Sequence, residues 1–372
     1  MAEHLVIGSE SQGFEAVGFL TGIQRLVRES HVGLVDRMSP LGVRIVPLHT
    51  RDIPRQANFI DHFYLSGDPV IHKQPWAPGD VDAFLFLDVN MQIDFSAVHR
   101  SQQLRHRPVI ALVHDILPLV HSDLFPRQEI LRFRLYLQQL LRLADHVVIT
   151  SEKVRSDLLG LGWSIPGTLH VIPLGSVFQS RPPVPTETDH LSLLYVSTIE
   201  PRKGHEHLIS AFDVLRAEGL DIDLTLIGRA GWADPQLFDR IRLHQDFGGR
   251  LRWLESPDDV LLATVAEQCT IGVFPSQDEG YGLFLEEGLA LGLKMVVSDI
   301  PVFRERAQAN VHYTDLSPES IANGILTAHQ QPWTSPTVPV RTMSDFLDEL
   351  ADLVTDVTVP PSWRAKVSRK VR

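Results

Sequence analysis

Two carboxylates eight positions apart, Glu279 and Glu287, stand in PSQDEGYGLFLEEGLALGLKMVVSD (275–299). An apolar strand ends at Pro275. A polar turn carrying Asp278, Glu279, Gly280 and Gly282 follows, and an apolar helix is predicted from near Leu283. Glycines let backbone N–H groups approach a ligand closely, and a helix N-terminus attracts anions. If the stretch is mostly helical, the two acids lie roughly 12 Å apart and within a quadrant of each other. That span suits two hydroxyl-bearing groups separated by a diphosphate. The competing reading is a capping acid followed by a solvated helix face. Against it, Leu283, Leu285, Leu289 and Leu291 crowd this helix, so an acid inside the stripe needs a partner.

A second turn lies in STIEPRKGHEHLISAF (197–212), where Pro201, Arg202, Lys203 and Gly204 lead from a strand into a helix. Two adjacent cations there can take phosphate oxygens, Arg bidentately and Lys as a point charge, or can simply be solvated. LIGRAGW (226–232) adds Gly228 and Gly231 after another strand, a poor nucleotide signal alone. In the first half, ALVHDILPLVHSDLFP (111–126) places His114 and Asp115 at the end of a buried strand. There a histidine is either a donor or acceptor at a site or a hydrogen-bonded residue at the core edge. His121 is a weaker candidate. Gly13, Gly18 and Gly22 precede a helix with Arg25 in its first turn, read as a glycine-rich loop at a cleft or as ordinary turn chemistry.

The elements that position these residues alternate regularly. Short apolar runs at 4–10, 43–48, 82–88, 108–115, 146–150 and 169–174 read as buried strands. Helical patterns lie between several of them. Over 21–38, Ile23, Leu26, Val27 and Leu34 share a face; over 127–143, Ile130, Leu131, Phe133, Leu137 and Leu141 recur at helical spacing. The second half repeats the rhythm, with strands at 191–197, 223–228, 251–255, 270–276 and 294–299. Helices are predicted at 205–219, 235–246, 258–268, 282–292, 318–329 and 343–354. Strand–helix alternation with short turns implies an α/β protein of doubly wound parallel sheets. Prolines 182, 183 and 185 mark a stiff linker. The expected division is a domain at 1–178, a linker at 179–189, a domain at 190–340, and a C-terminal helix and tail at 341–372.

Composition agrees. The chain has 372 residues, enough for two cores, and a net charge of −12 that argues against general nucleic-acid binding. A single cysteine excludes an intrachain disulfide and any multi-cysteine zinc site, which fits a reducing compartment. No apolar run reaches membrane-spanning length, and MAEHLVIGSE lacks the marks of a signal peptide. A cytoplasmic location is expected, with the inner face of the membrane as a further option.

Taken together, these segments resemble the family-four glycosyltransferases of the GT-B fold, in particular the bacterial mannosyltransferase-like members that build surface polysaccharides. The likeness covers nearly the whole chain. Glu279 and Glu287 look like the family's Glu-x7-Glu motif. YVSTIEPRKGHEHLISAF looks like the branch with a Glu-Pro-Arg-Lys turn, VHDILPLVHSDLFP like its His-Asp-Leu-x-Pro segment, and TGIQRLVRE like its Gly-Ile-x-Arg helix. ADHVVITSEKVRSDL and VIPLG also match expected positions. Two departures stand out: Ser197-Thr198 replaces a common Gly-Arg pair, so Arg202 must supply the second cation, and Gly288 replaces an alanine. A glycine there should loosen the helix by up to about 1 kcal/mol.

The resemblance implies two Rossmann-like domains facing across a cleft and closing over a nucleotide-diphosphate sugar, with the last helix returning to the first domain. Arg202 and Lys203 would hold the diphosphate, together with backbone N–H groups of Gly280, Tyr281, Gly282 and Leu283. Glu279 would bind hydroxyls of the transferred sugar, Glu287 the ribose diol, and His114 would face the sugar, with Asp115 as a candidate for base help. Gly22 would belong to the glycine loop. The implied reaction is retaining, moves a hexose (mannose from GDP-mannose as first choice) to a glycan or lipid-linked acceptor, and needs no cofactor and no metal. Alternatives on the same fold are a nucleotide-sugar epimerase or hydrolase, or a catalytically silent sugar-nucleotide-binding scaffold subunit. The tail WRAKVSRKVR (363–372), with five cations, reads as a solvated end or as an attachment to anionic lipid.

Overall fold

The chain, as a computed structural model, is described over residues 5–10, 22–47, 81–91, 93, 95–182, 190–255, 258–306, 308–334 and 338–361. Gly13, Gly18, linker prolines 183 and 185, and the basic tail lie outside the described residues. The chain divides into two compact units. One comprises residues up to Thr150, Arg155–Ile172 and those from Phe346 onward; the other comprises Ser151–Val154 and Pro173–Asp345. This boundary falls between Ile172 and Pro173, ahead of the proline run used to place it from sequence.

The first unit is built on β1 (Leu5–Glu10), β2 (Val43–Pro47), β3 (Ala83–Phe86), β4 (Val109–Val113), β5 (His146–Ile149) and β6 (Thr168–Val171). Its sheet runs β2-β1-β3-β4-β5-β6 with every pairing parallel. All residues of β3 and β4 are buried, as a sheet covered on both faces requires. Its helices are α1 (Gly22–Met38), α2 (Ser96–Arg105), α3 (Leu117–Val120), α4 (Arg127–Leu143) and, from Arg155 onward, α5 (Glu152–Gly160). In α4, Phe133, Tyr136, Leu137, Leu140, Leu141 and Leu143 are buried. Leu131, grouped with them by sequence spacing, is instead 54% exposed. At about 100° per residue it lies almost opposite Phe133.

The second unit contains β7 (Leu191–Val196), α6 (His205–Ala217), β8 (Ile222–Ile227), α7 (Pro235–Arg242), β9 (Leu251–Leu254), α8 (Asp259–Ala266), β10 (Ile271–Phe274), α9 (Leu283–Ala290), β11 (Lys294–Ser298), α10 (Pro301–Arg304), β12 (Val311–Thr314) and α11 (Pro318–Gln330). The helix α12 (Met343–Thr358) follows. The all-parallel sheet order is β12-β11-β10-β7-β8-β9. Renumbered within the unit, this is the 3-2-1-4-5-6 order of a doubly wound nucleotide-binding sheet. Its topological switch point lies between β7 and β10, and ligands of such sheets bind beyond the carboxyl ends of the strands there. Beneath these strand ends sits an aromatic cluster. Phe274 lies 5.8 Å from Tyr195, 5.6 Å from Phe284 and 4.9 Å from Phe303 between ring centroids. Such packing gives the two following loops a stiff floor.

Gly288 has a packing reason. A Cβ there would meet Met295 Sδ at 2.3 Å, so the missing methyl makes room for Met295, itself fully buried. The glycine thus lets α9 approach β11, beyond the helix-propensity cost expected from sequence. Among the described residues no helix is long and apolar enough to cross a membrane.

Candidate functional site

Both loops singled out from sequence leave the switch-point strands. After β7 the chain makes a 3-10 turn over Pro201–Lys203, and after β10 it runs through residues 275–282 into α9. Gly204 allows the two to touch. Its φ is +69°, and a Cβ there would lie 2.0 Å from the Pro275 carbonyl oxygen. The Gln277 N–H donates to Arg202 O at 2.8 Å, tying one loop to the other. Tyr195 Oη donates to Lys203 O at 2.6 Å, pinning the turn to the aromatic floor.

The result is a buried ion cluster. Glu279, 5% exposed, accepts from Lys203 Nζ at 2.5 Å and from Ser276 Oγ at 2.7 Å, and its second oxygen pairs with Arg202 Nη1 at 3.0 Å. Arg202 also pairs through Nε with Glu200 at 2.6 Å and donates to Asp278 O at 2.9 Å. Lys203 Nζ stands 5.5 Å above the Phe274 ring. Burial pushes the Glu279 carboxyl up, but the two cations and the bonds from Lys203 and Ser276 outweigh it and hold it at about 2. Glu279 is therefore ionised at neutral pH. Beside it, burial and then the Lys203 charge lower His205 to about 3, so its imidazole adds no charge.

Glu287 is 3% exposed within α9. The helix begins only at Leu283, so Glu279 precedes it and the helical rise does not measure the span between the acids. The neighbouring Glu286, 1% exposed, lies in the same apolar stripe. It pairs with Arg306 at 3.2 Å, and Arg306 lies 3.8 Å over the Tyr281 ring and donates to Tyr281 O. Tyr281 Oη in turn donates to Leu174 O at 2.5 Å. The Tyr281 side chain is thus an anchor, leaving its backbone N–H as what it can offer a ligand. Gly282 caps α9 with φ +78° and no side-chain cap, and a Cβ on it would strike the Phe303 ring at 2.3 Å. Ser151 and Lys153, which belong to this unit, brace the same loop. Ser151 Oγ donates to Gly280 O at 2.6 Å, and Lys153 pairs with Asp278 at 2.5 Å. Gly228 and Gly231 support the neighbouring turn. Ile199 N–H donates to Arg229 O and Gly231 N–H to Ile199 O, both at 3.0 Å.

In the first unit, His114 follows β4 and is 6% exposed. Its Nε2 lies 2.7 Å from Leu87 O, just past β3. Burial lowers its pKa, outweighing the hydrogen bond to Leu87 and the charges of Asp88 and Asp115. A neutral imidazole that donates from Nε2 to a carbonyl carries a lone pair on Nδ1, and that buried Nδ1 has no hydrogen-bond partner among the described residues. Asp115 Oδ1 accepts from Leu117 N–H at 3.1 Å, capping α3. Gly22 is the first residue of α1.

The structure therefore brings Arg202, Lys203, Glu279 and the Gly280–Leu283 backbone onto adjoining loops of one unit, and sets His114 and Asp115 in the other. Sequence reasoning missed the roles of Glu200, Ser276, Ser151, Lys153 and Arg306. Only Glu200, beside the cations in Glu-Pro-Arg-Lys, carried a readable signal. Among the described residues no group of three or more His, Cys, Asp or Glu is gathered as for a metal.

Comparison with known proteins gives the same direction. The chain is 31% identical over 267 residues to the serotype-specific mannosyltransferase WbdA of Escherichia coli, covering 66% of this chain and 32% of that one. It is 25% identical over 244 residues to the O-antigen chain mannosyltransferase B of Escherichia coli, covering 61% and 60%. The chain thus spans about a third of the WbdA relatives it matches. Among solved structures, Anabaena HepE in complex with UDP and glucose superposes with a TM-score of 0.60 at 14% identity, covering 99% of each chain. That likeness shows the two-domain α/β GT-B fold. Residues 178–336 match the family described as glycosyl transferases group 1.

Proposed function

We propose that the chain is a glycosyltransferase. It moves a hexose from a nucleotide-diphosphate sugar, GDP-mannose first, to a hydroxyl of a glycan or lipid-linked acceptor in surface-polysaccharide synthesis, with retention of anomeric configuration. The observation that carries the reading is the convergence of Arg202, Lys203 and Glu279 beyond the switch-point strands β7 and β10. The relatives' names support mannose as the sugar.

The chemistry follows from the residues. Arg202 and Lys203 take the charge of the diphosphate, in competition with Glu279. The N-terminus of α9 and the Gly280–Leu283 N–H groups add to that field. Two cations and a helix terminus perform the neutralisation that a metal would otherwise supply, so none is needed. Glu279, ionised at neutral pH, accepts hydrogen bonds from the sugar's hydroxyls, and Glu287 does so from the ribose diol. Neutral His114, with its Nδ1 lone pair, accepts from a further hydroxyl and so orients the sugar. As the bond from the anomeric carbon to the diphosphate breaks, the acceptor oxygen bonds to that carbon on the same face. The acceptor's proton passes to a departing phosphate oxygen. Asp115 is a second choice of base, because capping α3 already accounts for its place. The reaction is assigned to the cytoplasm, at the inner face of the membrane.

A thermal-shift panel of GDP-, UDP-, dTDP- and ADP-sugars tests the donor. A ligand at about 100 times its Kd stabilises by about 2.7 kcal/mol. GDP-mannose is expected to give the largest shift. A larger shift with a UDP-sugar would replace the donor, and no shift with any would remove the site.

A further inference from the structure

We propose that the outer face of α4 is a docking surface for an anionic lipid bilayer. On this 17-residue helix Leu131 and Leu135 stand 54% and 61% exposed, four residues apart on one line. Arg127 and Arg142 continue that line, Arg134 flanks it, and Arg132 stands further round. The helix contains one carboxylate, Glu129, 3.8 Å from Arg132. Four arginines against one acid is a sharp local reversal in a chain of net charge −12. Arg134 also lies 5.8 Å from the ring of half-buried Trp163, which puts an aromatic residue of interfacial type beside the stripe.

The geometry suits a helix lying flat on a headgroup layer. The opposite face, through Phe133, Tyr136, Leu137, Leu140 and Leu141, is fixed in the core. Exposed leucines can then enter the acyl boundary while arginines meet phosphates. Charge separates this occupant from others. A second copy of the chain, docked two-fold on the same face, would set arginines against arginines. A nucleic acid would satisfy the cations but leave both leucines without apolar cover.

The surface is independent of the transfer reaction and of the tail, so its test uses the full-length chain without donor. Co-sedimentation is measured with vesicles of phosphatidylcholine alone and of phosphatidylcholine mixed with phosphatidylglycerol, for four proteins. These are wild type, Leu131→Ser/Leu135→Ser, Arg127→Gln/Arg134→Gln/Arg142→Gln, and the chain ending before Trp363. The substituted leucines and arginines are exposed, and an unchanged melting temperature verifies folding. Wild type is expected to bind the anionic vesicles and to lose binding as salt rises. The leucine pair should bind at least tenfold less, and the arginine variant about fivefold less per arginine removed. The truncated chain should keep the binding that the leucine pair abolishes. Three results overturn the proposal: no binding of wild type to anionic vesicles; α4 variants that bind like wild type, with loss only on truncation, which assigns docking to the tail; or a change of oligomeric mass in the leucine variant with vesicle binding intact, which assigns the face to a second copy. The donor thermal shift of each variant reads the transfer site separately.

Discussion

The ion cluster of the second unit and the histidine of the first are both buried at strand ends, yet they solve opposite problems. Around Glu279, two cations, a serine hydroxyl and a neighbouring carboxylate compensate one another in a buried site. Around His114, burial strips the charge and leaves one hydrogen bond made and one nitrogen with no partner among the described residues. The cluster is suited to a ligand that brings charge. The histidine is suited to a ligand that brings a neutral hydroxyl.

The contrast is broken most severely at Lys203. Lys203→Met leaves Glu279 buried with one cation fewer, and should cost about 3–5 kcal/mol in urea unfolding. Turnover should fall by about 100-fold or more. Adding Glu279→Gln to Lys203→Met should restore most of the stability and none of the turnover. Recovery of both would mean the lysine only neutralises the acid.

Acid offers a second lever. Glu279 is held at about 2, below its ordinary value of 4.5. The cluster's contribution is therefore complete above pH 4.5 and is lost as pH falls from there through about 2. The gap corresponds to about 3 kcal/mol. Unfolding free energies measured across that window should show this slope in wild type and a shallower one in Glu279→Gln. Equal slopes would contradict the assignment.

The adjacent acids of α9 sharpen the comparison. Glu286→Gln removes the partner of Arg306 and should lower Tm while leaving the donor KM unchanged. Glu287→Gln should raise that KM about tenfold. The reverse pattern would exchange their roles. At the histidine the effect is smallest: His114→Ala removes one neutral hydrogen bond and should lower kcat/KM about tenfold. Because burial keeps His114 below 6.5, wild-type activity should show no histidine-type acid limb as pH falls from 8 to 6.5.

Much of this was legible in the chain. Strands such as β4 and β10 are continuous apolar runs, and the limits of α4 match its pattern residue for residue. The Glu-Pro-Arg-Lys turn and the acid pair were visible because their residue types are costly at strand ends unless used. Other features were hidden for physical reasons. β12 has four residues, three only half-buried, and α2 buries little, so neither prints a clear period. Leu131 read as core because its type is apolar, although its angle on the helix faces outward. The partnership of Glu279 with Arg202 and Lys203 spans 76 residues or more and depends on the close approach at Gly204, which only three dimensions reveal. The pairing of Glu286 with Arg306, which follows α10, could not be read from sequence, because it forms only in the folded chain.

The central claim is that the Pro201–Lys203 turn receives the donor's diphosphate. Titration calorimetry of GDP, which carries the diphosphate of the proposed donor without its sugar, tests it directly with wild type and the Lys203→Met/Glu279→Gln protein. The account predicts measurable binding by wild type and at least tenfold weaker binding by the double variant at equal thermal stability. Equal affinity for GDP in the two folded proteins would contradict it.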